Sequence, residues 1–170
     1  EKTPPCVLTI AGSDSGAGAG IQADLKSVAA QEVYGLTVIT AITAQNTLGV
    51  EKAEVLSASL VEAQIDAVLQ DFPVSVVKTG MLGNAEIVEV VAAKLEQYGI
   101  SKVVVDPVMV AKSGDPLLAE GAQKALREKL LPSALLITPN LPETEVLCGW
   151  PIQDWEALQE AAHFLYRQGP

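Results

Sequence analysis

Short runs of β-branched and aliphatic residues recur along the chain, at Cys6 to Ala11, Leu36 to Thr43, Val74 to Lys78, Lys102 to Val105 and Ala134 to Thr138, and helix-periodic stretches fill the intervals. A strand that reads as an almost continuous apolar run is one covered on both faces, and its alternation with amphipathic helices demands a parallel sheet linked by helical crossovers. The pattern predicts an α/β fold, a mostly parallel central sheet with helices on both faces. Ile21, Leu25, Val28 and Ala29 share one face of the first helix, with Gly35 as its stop. Ser59 and Glu62 read as a capping box opening the second, whose stripe is Val61, Ile65, Val68, Leu69 and Phe72. Asn84 caps a third that buries Ile87, Val91, Leu95 and Tyr98 and ends at Gly99. Asp115-Pro116 opens a fourth that carries Leu118, Ala122, Ala125 and Leu126 inward. A short helix follows through Glu145, and the last starts at Asp154 with Trp155, Leu158, Ala162 and Leu165 as its apolar face.

In open sheets of this kind ligands gather outside the carboxyl ends of the strands, which selects Ala11 to Gly20, Ala44 to Thr47, Thr79 to Gly83, Asp106 to Gly114 and Thr138 to Glu143. The first of these contains four glycines and nothing larger than Asp14. Backbone this bare allows close approach, and the N–H groups and dipole of the helix it opens favour an anion or a polar ligand edge. It is neither common nucleotide loop. A P-loop ends in Gly-Lys-Ser/Thr where this chain has Gly20-Ile21-Gln22, and the dinucleotide pattern requires a glycine where this chain has Ile21. The residues allow a ligand loop of unspecified ligand or a tight strand-to-helix turn.

With 170 residues, 49% of them hydrophobic, the chain can bury one substantial core, and a single domain over residues 1–170 is expected. A net charge of −10 with no run of Lys or Arg argues against nucleic acid, whose partners present basic patches. Two cysteines, Cys6 and Cys148, and no basic-then-apolar leader point to a cytoplasmic protein without a disulfide framework. No apolar run approaches the about 18 residues of a membrane span, so no membrane partner is expected.

Gln45 and Asn46 are amides following a strand, where donor and acceptor on one side chain suit the edge of a nitrogen heterocycle; bonding of loop backbone explains them equally well. Met81 offers an adaptable apolar surface at the same sheet end, although a lone Met is more often core. Asp106, a carboxylate at a strand terminus followed by Pro107, suggests a metal or metal-bound phosphate, because Mg²⁺ takes one or two carboxylates plus phosphate oxygens; the alternative is a turn cap. Asn140 with Glu143 shows the same tension, since this spacing makes a capping box that needs no ligand. His163 lies within the last amphipathic helix and reads as structural or exposed. There is no nucleophile triad and no Cys/His metal cluster.

Taken together, the segments Ala11 to Lys26, Val38 to Thr47, Lys78 to Gly83, Val104 to Val110 with Ser113 to Asp115, and Thr138 to Glu143 closely resemble the hydroxymethylpyrimidine/phosphomethylpyrimidine kinases of thiamine biosynthesis, in order and across the whole chain. The resemblance implies a three-layer ribokinase-like fold, a homodimer, ATP and Mg²⁺ as cofactors, and a small-molecule pyrimidine as substrate. The implied activity is two successive ATP-dependent phosphorylations, of 4-amino-5-hydroxymethyl-2-methylpyrimidine to its monophosphate and then to the diphosphate. By position it implies that Gln45 hydrogen-bonds the aminopyrimidine and that the Gly12 backbone, Met81 and Val108 complete the pocket, with Asp14 beside them. Asp106, Asn140 and Glu143 then fall on the ATP side, Asp106 and Glu143 as metal ligands, and the glycine loop serves the pyrimidine rather than the phosphates. Two departures accompany it: the family has Gly where this chain has Ala17, and it continues past a helix like Asp154 to Gln168. The chain is therefore expected to lack the family's C-terminal third, with its phosphate-binding lysine and the Gly-Thr-Gly-Cys anion hole whose cysteine is the base. No catalytic residue is expected within the 170 residues, and the fragment alone is expected to turn over poorly if at all. A pyridoxal or pyridoxine kinase of the same fold and a non-catalytic pyrimidine-binding module are the alternatives.

Overall fold

A computed structural model describes residues 4–109 and 120–170. Strands β1 (Cys6–Asp14), β2 (Tyr34–Asn46), β3 (Gly49–Val55), β4 (Val74–Thr79), β5 (Val103–Val105) and β6 (Leu136–Ile137) form one sheet in the order β3-β2-β1-β4-β5-β6. Neighbours run parallel throughout except β3, which is antiparallel to β2. Helices α1 (Gly20–Ala30), α2 (Ala58–Leu69), α3 (Ala85–Gln97), α4 (Glu120–Ala125), α5 (Leu141–Cys148) and α6 (Trp155–Tyr166) connect and flank them. The chain steps from β1 to β2 toward one edge and from β4 through β5 to β6 toward the other. Right-handed crossovers then place α1 on one face and α3 and α4 on the opposite face. The α/β architecture expected from the alternation is the one observed.

The core lies where the apolar runs predict. Leu8, Ile10, Val38, Val77, Val103 and Val105 of the sheet are wholly buried with Val61, Ile65, Ile87, Val91 and Leu95 of α2 and α3. Each such side chain contributes about 1.5–3 kcal/mol of transfer free energy, which offsets the conformational entropy lost on ordering the chain. Caps fall as expected at Asn84 and Asp154, whose side chains accept from the backbone N–H of Ile87 and Ala157.

Several boundaries differ from the sequence expectation, each for a physical reason. Gly35 does not stop α1. The helix ends at Ala30, Glu32 takes the left-handed turn at φ 58°, and Gly35 lies within β2, where a Cβ would stand 2.6 Å from Leu25 Cδ2. α2 is capped by Ser57, whose hydroxyl accepts from Leu60 N, rather than by Ser59 with Glu62. β3 has no sequence counterpart because Glu51, Lys52 and Glu54 hide an edge strand that is exposed on both faces from Glu51 to Val55. β6 is only two residues long, and Leu135 and Leu136 are exposed rather than buried. On α6 the inward residues are Ala161 and Leu165, with Ala157 and Leu158 partly buried, whereas Trp155 is 71% exposed and Ala162 is exposed. Asp115, Pro116 and Leu118 lie outside the described residues; beyond them Ala122, Ala125 and Leu126 point inward, and a π turn at Leu126–Leu130 extends the helical path.

Candidate active site

The β1 to α1 loop is filled by its own acid. Asp14 is 5% exposed, and its carboxylate accepts from the backbone N–H of Gly16 (2.8 Å), Gly18 (2.9 Å) and Ala19 (2.8 Å). Gln22 secures the other side, its Oε1 accepting from Asp14 N at 2.8 Å while its Nε2 donates to Ser13 Oγ at 2.7 Å. The N–H groups that an anion would use are thus already occupied by an internal carboxylate, and Asp14 organises the loop rather than standing free to meet a ligand. The turn also fixes backbone that side chains resist. Gly20 has φ +59°, with a Cβ position only 2.5 Å from Gly12 O, and Ala17 is held at φ 57° where the resembling family has glycine.

This loop meets β4 at the point where the sheet's connections diverge, the position at which open α/β sheets bind ligands. Gly12 is buried against Met81, and a Cβ there would lie 3.0 Å from Met81 Sδ. Gly80 N donates to Ile10 O, and the Thr40 hydroxyl donates to Met81 O at 2.6 Å, so β1 and β2 both hold the segment after β4. Gln45, half-buried at the end of β2, is tied to the same loop. The Ser15 hydroxyl donates to Gln45 O at 2.7 Å and accepts from Gln45 N at 2.8 Å. Thr43, whose hydroxyl donates to Ser13 O at 2.7 Å, lies 3.2 Å from Gln45 Oε1. Asn46 instead bonds its own turn, accepting from Leu48 N. Val108 is half-buried at the end of the next strand, with its N–H donating to Asp106 O. The structure thus brings Gly12 and Met81 into contact and tethers Gln45 to the same loop, with Val108 one strand further along.

A second polar cluster occupies the ends of β4, β5 and β6. Asp106 follows β5, its N–H bonded to Thr79 O, and its carboxylate lies 3.6 Å from Lys78 Nζ. Lys78 is also paired with Asp24 of α1 at 3.1 Å. Glu143 is buried at the start of α5 in the capping box with Asn140: Glu143 Oε2 accepts from Asn140 N and Asn140 Oδ1 accepts from Glu143 N, both at 2.9 Å. Burial pushes the Asp106 carboxyl above its ordinary range, against the pull of Lys78, and burial together with the Asp106 charge does the same for Glu143. Among the described residues this corner holds three carboxylates, Asp24, Asp106 and Glu143, and one ammonium, Lys78, a surplus of negative charge. All the donors are oxygens, the hard set that Mg²⁺ prefers, and no described group of three or more His, Cys, Asp or Glu could hold a metal by itself. The residues fit a magnesium ion that shares its coordination with phosphate oxygens.

Asp24 and Lys78 escaped the sequence reading, because a charge at a helical position and a lysine in a strand both look like solvated faces. Only the pairing of Thr9 with Lys78 across β1 and β4 reveals that they converge. His163 is exposed. Of two cavities, one of about 290 Å³ lies beside Trp150 and Phe164, and one of about 430 Å³ beside Leu136 and Leu158 reaches Pro139 and Thr144, next to Asn140 and Glu143. No described helix is long and apolar enough to cross a membrane.

Comparison with known proteins bears on these two clusters. The family model described as phosphomethylpyrimidine kinase matches residues 14–170. A hydroxymethylpyrimidine/phosphomethylpyrimidine kinase of Haemophilus influenzae is 53% identical over 163 residues, 96% of this chain and 61% of that protein. The crystal structure of a phosphomethylpyrimidine kinase from Clostridium difficile superposes with a TM-score of 0.91 at 45% identity, covering 98% of this chain and 72% of that one. A Staphylococcus aureus pyridoxal kinase in complex with pyridoxal superposes with a TM-score of 0.89 at 36% identity, covering 99% of this chain and 62% of that one. The chain spans 61% of the length of the Haemophilus influenzae relative. On the extent of these matches, the chain belongs to the phosphomethylpyrimidine kinase family.

Proposed function

We propose that this chain carries the pyrimidine side and part of the nucleotide side of a kinase that uses ATP to phosphorylate 4-amino-5-hydroxymethyl-2-methylpyrimidine and then its monophosphate in thiamine biosynthesis. The observation that carries this reading is the self-filled glycine loop. With Asp14 occupying its N–H groups, what the loop offers a ligand is the bare Gly12 wall against Met81, which suits a flat, uncharged ring and not a phosphate. Gln45, held at the loop's edge by Ser15, presents a side-chain amide to the ring's amino and ring-nitrogen edge, and Val108 closes the pocket toward β5. Asp106 and Glu143 would hold magnesium, and Asn140 keeps Glu143 in place through the capping box. Magnesium–ATP supplies the phosphoryl group and screens its charge; this chain's residues bind the alcohol and orient it toward the ends of β4 and β5.

In this reading the 170 residues belong to one ribokinase-like domain, and they span 61% of the length of the Haemophilus influenzae relative. The same reading carries a cytoplasmic homodimer, which sedimentation tests. Pyridoxal is the competing substrate, favoured by the likeness to the Staphylococcus aureus enzyme, at lower identity than the pyrimidine kinases. The experiment is ADP release by the intact protein with the aminopyrimidine alcohol, with pyridoxal and with neither, beside calorimetry with the pyrimidine in the absence of ATP. Turnover of the pyrimidine above pyridoxal supports the proposal. Turnover of pyridoxal alone replaces the substrate, and pyrimidine binding without ADP release replaces the kinase with a binding module.

A further inference from the structure

Lys78 is held at both ends of a short chain of charges. Its ammonium meets both oxygens of Asp24, at 3.2 Å for Oδ1 and 3.1 Å for Oδ2, and Asp24 Oδ2 in turn accepts from the Thr9 hydroxyl at 2.5 Å. On the other side Lys78 Nζ lies 3.6 Å from Asp106 Oδ2. The three side chains are 25%, 22% and 33% exposed, sheltered enough for their attraction to survive solvent screening yet open to a ligand. Gly80 keeps the lane clear, since a Cβ there would stand 3.1 Å from Lys78 Nζ and 3.0 Å from Ala11 Cβ.

Asp106 directly follows β5, and its N–H bonds Thr79 O of β4, so the sheet fixes its backbone but not its carboxylate. The described cation paired with Asp106 is Lys78, whose Nζ lies 3.6 Å from Oδ2. An isolated exposed pair contributes little, but here the lysine is anchored on a helix and a strand before it reaches Asp106. We propose that Lys78 is a positioning residue: pinned by Asp24, its ammonium sets the orientation of the Asp106 carboxylate that the magnesium–nucleotide would meet. This rests on the reading of the chain as an ATP-dependent kinase. A lysine touching the phosphates directly predicts a different metal dependence, which the test separates.

The experiment measures binding of a non-hydrolysable ATP analogue to the intact protein by calorimetry, with Mg²⁺ and with EDTA, for K78M, K78R and D24N. Losing the set of Asp106 weakens the magnesium form by about tenfold in K78M and leaves the metal-free form within about twofold. K78R recovers most of the loss, because its fork spans both carboxylates, and D24N falls between the two. Should K78M fail to fold, as judged by its melting curve, D24N, which keeps the ammonium, carries the same comparison. Equal loss with and without Mg²⁺ overturns the proposal in favour of a direct phosphate contact, and an unchanged magnesium form overturns it outright. Wild-type protein that binds no magnesium–nucleotide overturns the kinase reading and this inference together, whereas normal wild-type binding with an indifferent K78M overturns this inference alone.

Discussion

Removing the Asp14 carboxylate should convert the glycine loop into the anion site that its sequence suggests. In D14A three backbone donors, on Gly16, Gly18 and Ala19, lose their side-chain acceptor at 2.8 to 2.9 Å. These three residues are exposed, so water replaces part of what is lost, and each bond is worth about 0.5–1 kcal/mol rather than the full cost of a buried orphan. The sum is about 2 kcal/mol of destabilisation, read as a shift in urea midpoint at constant slope. The three N–H groups then converge on an empty position, and sulfate entering at ten times its dissociation constant returns about 1.4 kcal/mol. Sulfate also strengthens folded proteins generally, so the quantity of interest is its excess effect on D14A over wild type at matched ionic strength. A destabilisation under about 0.5 kcal/mol, or a sulfate response equal to that of wild type, refutes the claim that an internal acid fills the loop.

Ala17→Gly relieves a left-handed alanine, worth about 1 kcal/mol, and loses part of that gain to the freer unfolded chain, so thermal melts should show a gain of up to about 1 kcal/mol and no loss. Thr79 Oγ1 is buried with no hydrogen-bond partner among the described residues, and Thr79→Val, which keeps the shape and removes the hydroxyl, should stabilise by about 1 kcal/mol in chemical denaturation. Asp106 has its carboxyl raised by burial more than Lys78 lowers it, so the folded state holds that proton more tightly than the unfolded chain does. Its ionised form therefore opposes folding above the raised value, and the penalty vanishes below the ordinary 3.8. Asp106→Asn should melt higher than wild type at pH 7, the gap closing as pH falls through the carboxylate range, while magnesium–nucleotide binding is lost; a lower melting point at pH 7 contradicts the account.

Patterns that depend on local backbone chemistry were legible in the sequence. The parallel sheet followed from near-continuous Val and Ile runs, and Asn84, Asp154 and the Asn140–Glu143 box capped helices where their spacing said they would. What stayed hidden depended on pairing across distance. β3 shows too little apolar periodicity to declare itself until β2 hydrogen-bonds it, and Gly35 looks like a helix stop until Leu25 is seen to need its missing Cβ. The site divides the same way. The strand ends marked where to look, and Gly12 and Met81 meet there, but the Asp24–Lys78–Asp106 chain required the register of β1 against β4. Asp14 was recognisable as a loop residue, yet only its three N–H partners reveal that it faces inward.

The junction of β1 with β4 has a consequence for how the molecule breathes. Gly12 and Met81 come from segments far apart in the chain and touch only while those two strands are zipped together. Any excursion that unzips them dissolves the Gly12–Met81 contact and the Asp24–Lys78–Asp106 chain at one stroke. On the proposed function, a bound heterocycle is expected to act as a clasp on that seam, slowing amide exchange in the two innermost strands while the outlying α6 breathes as before.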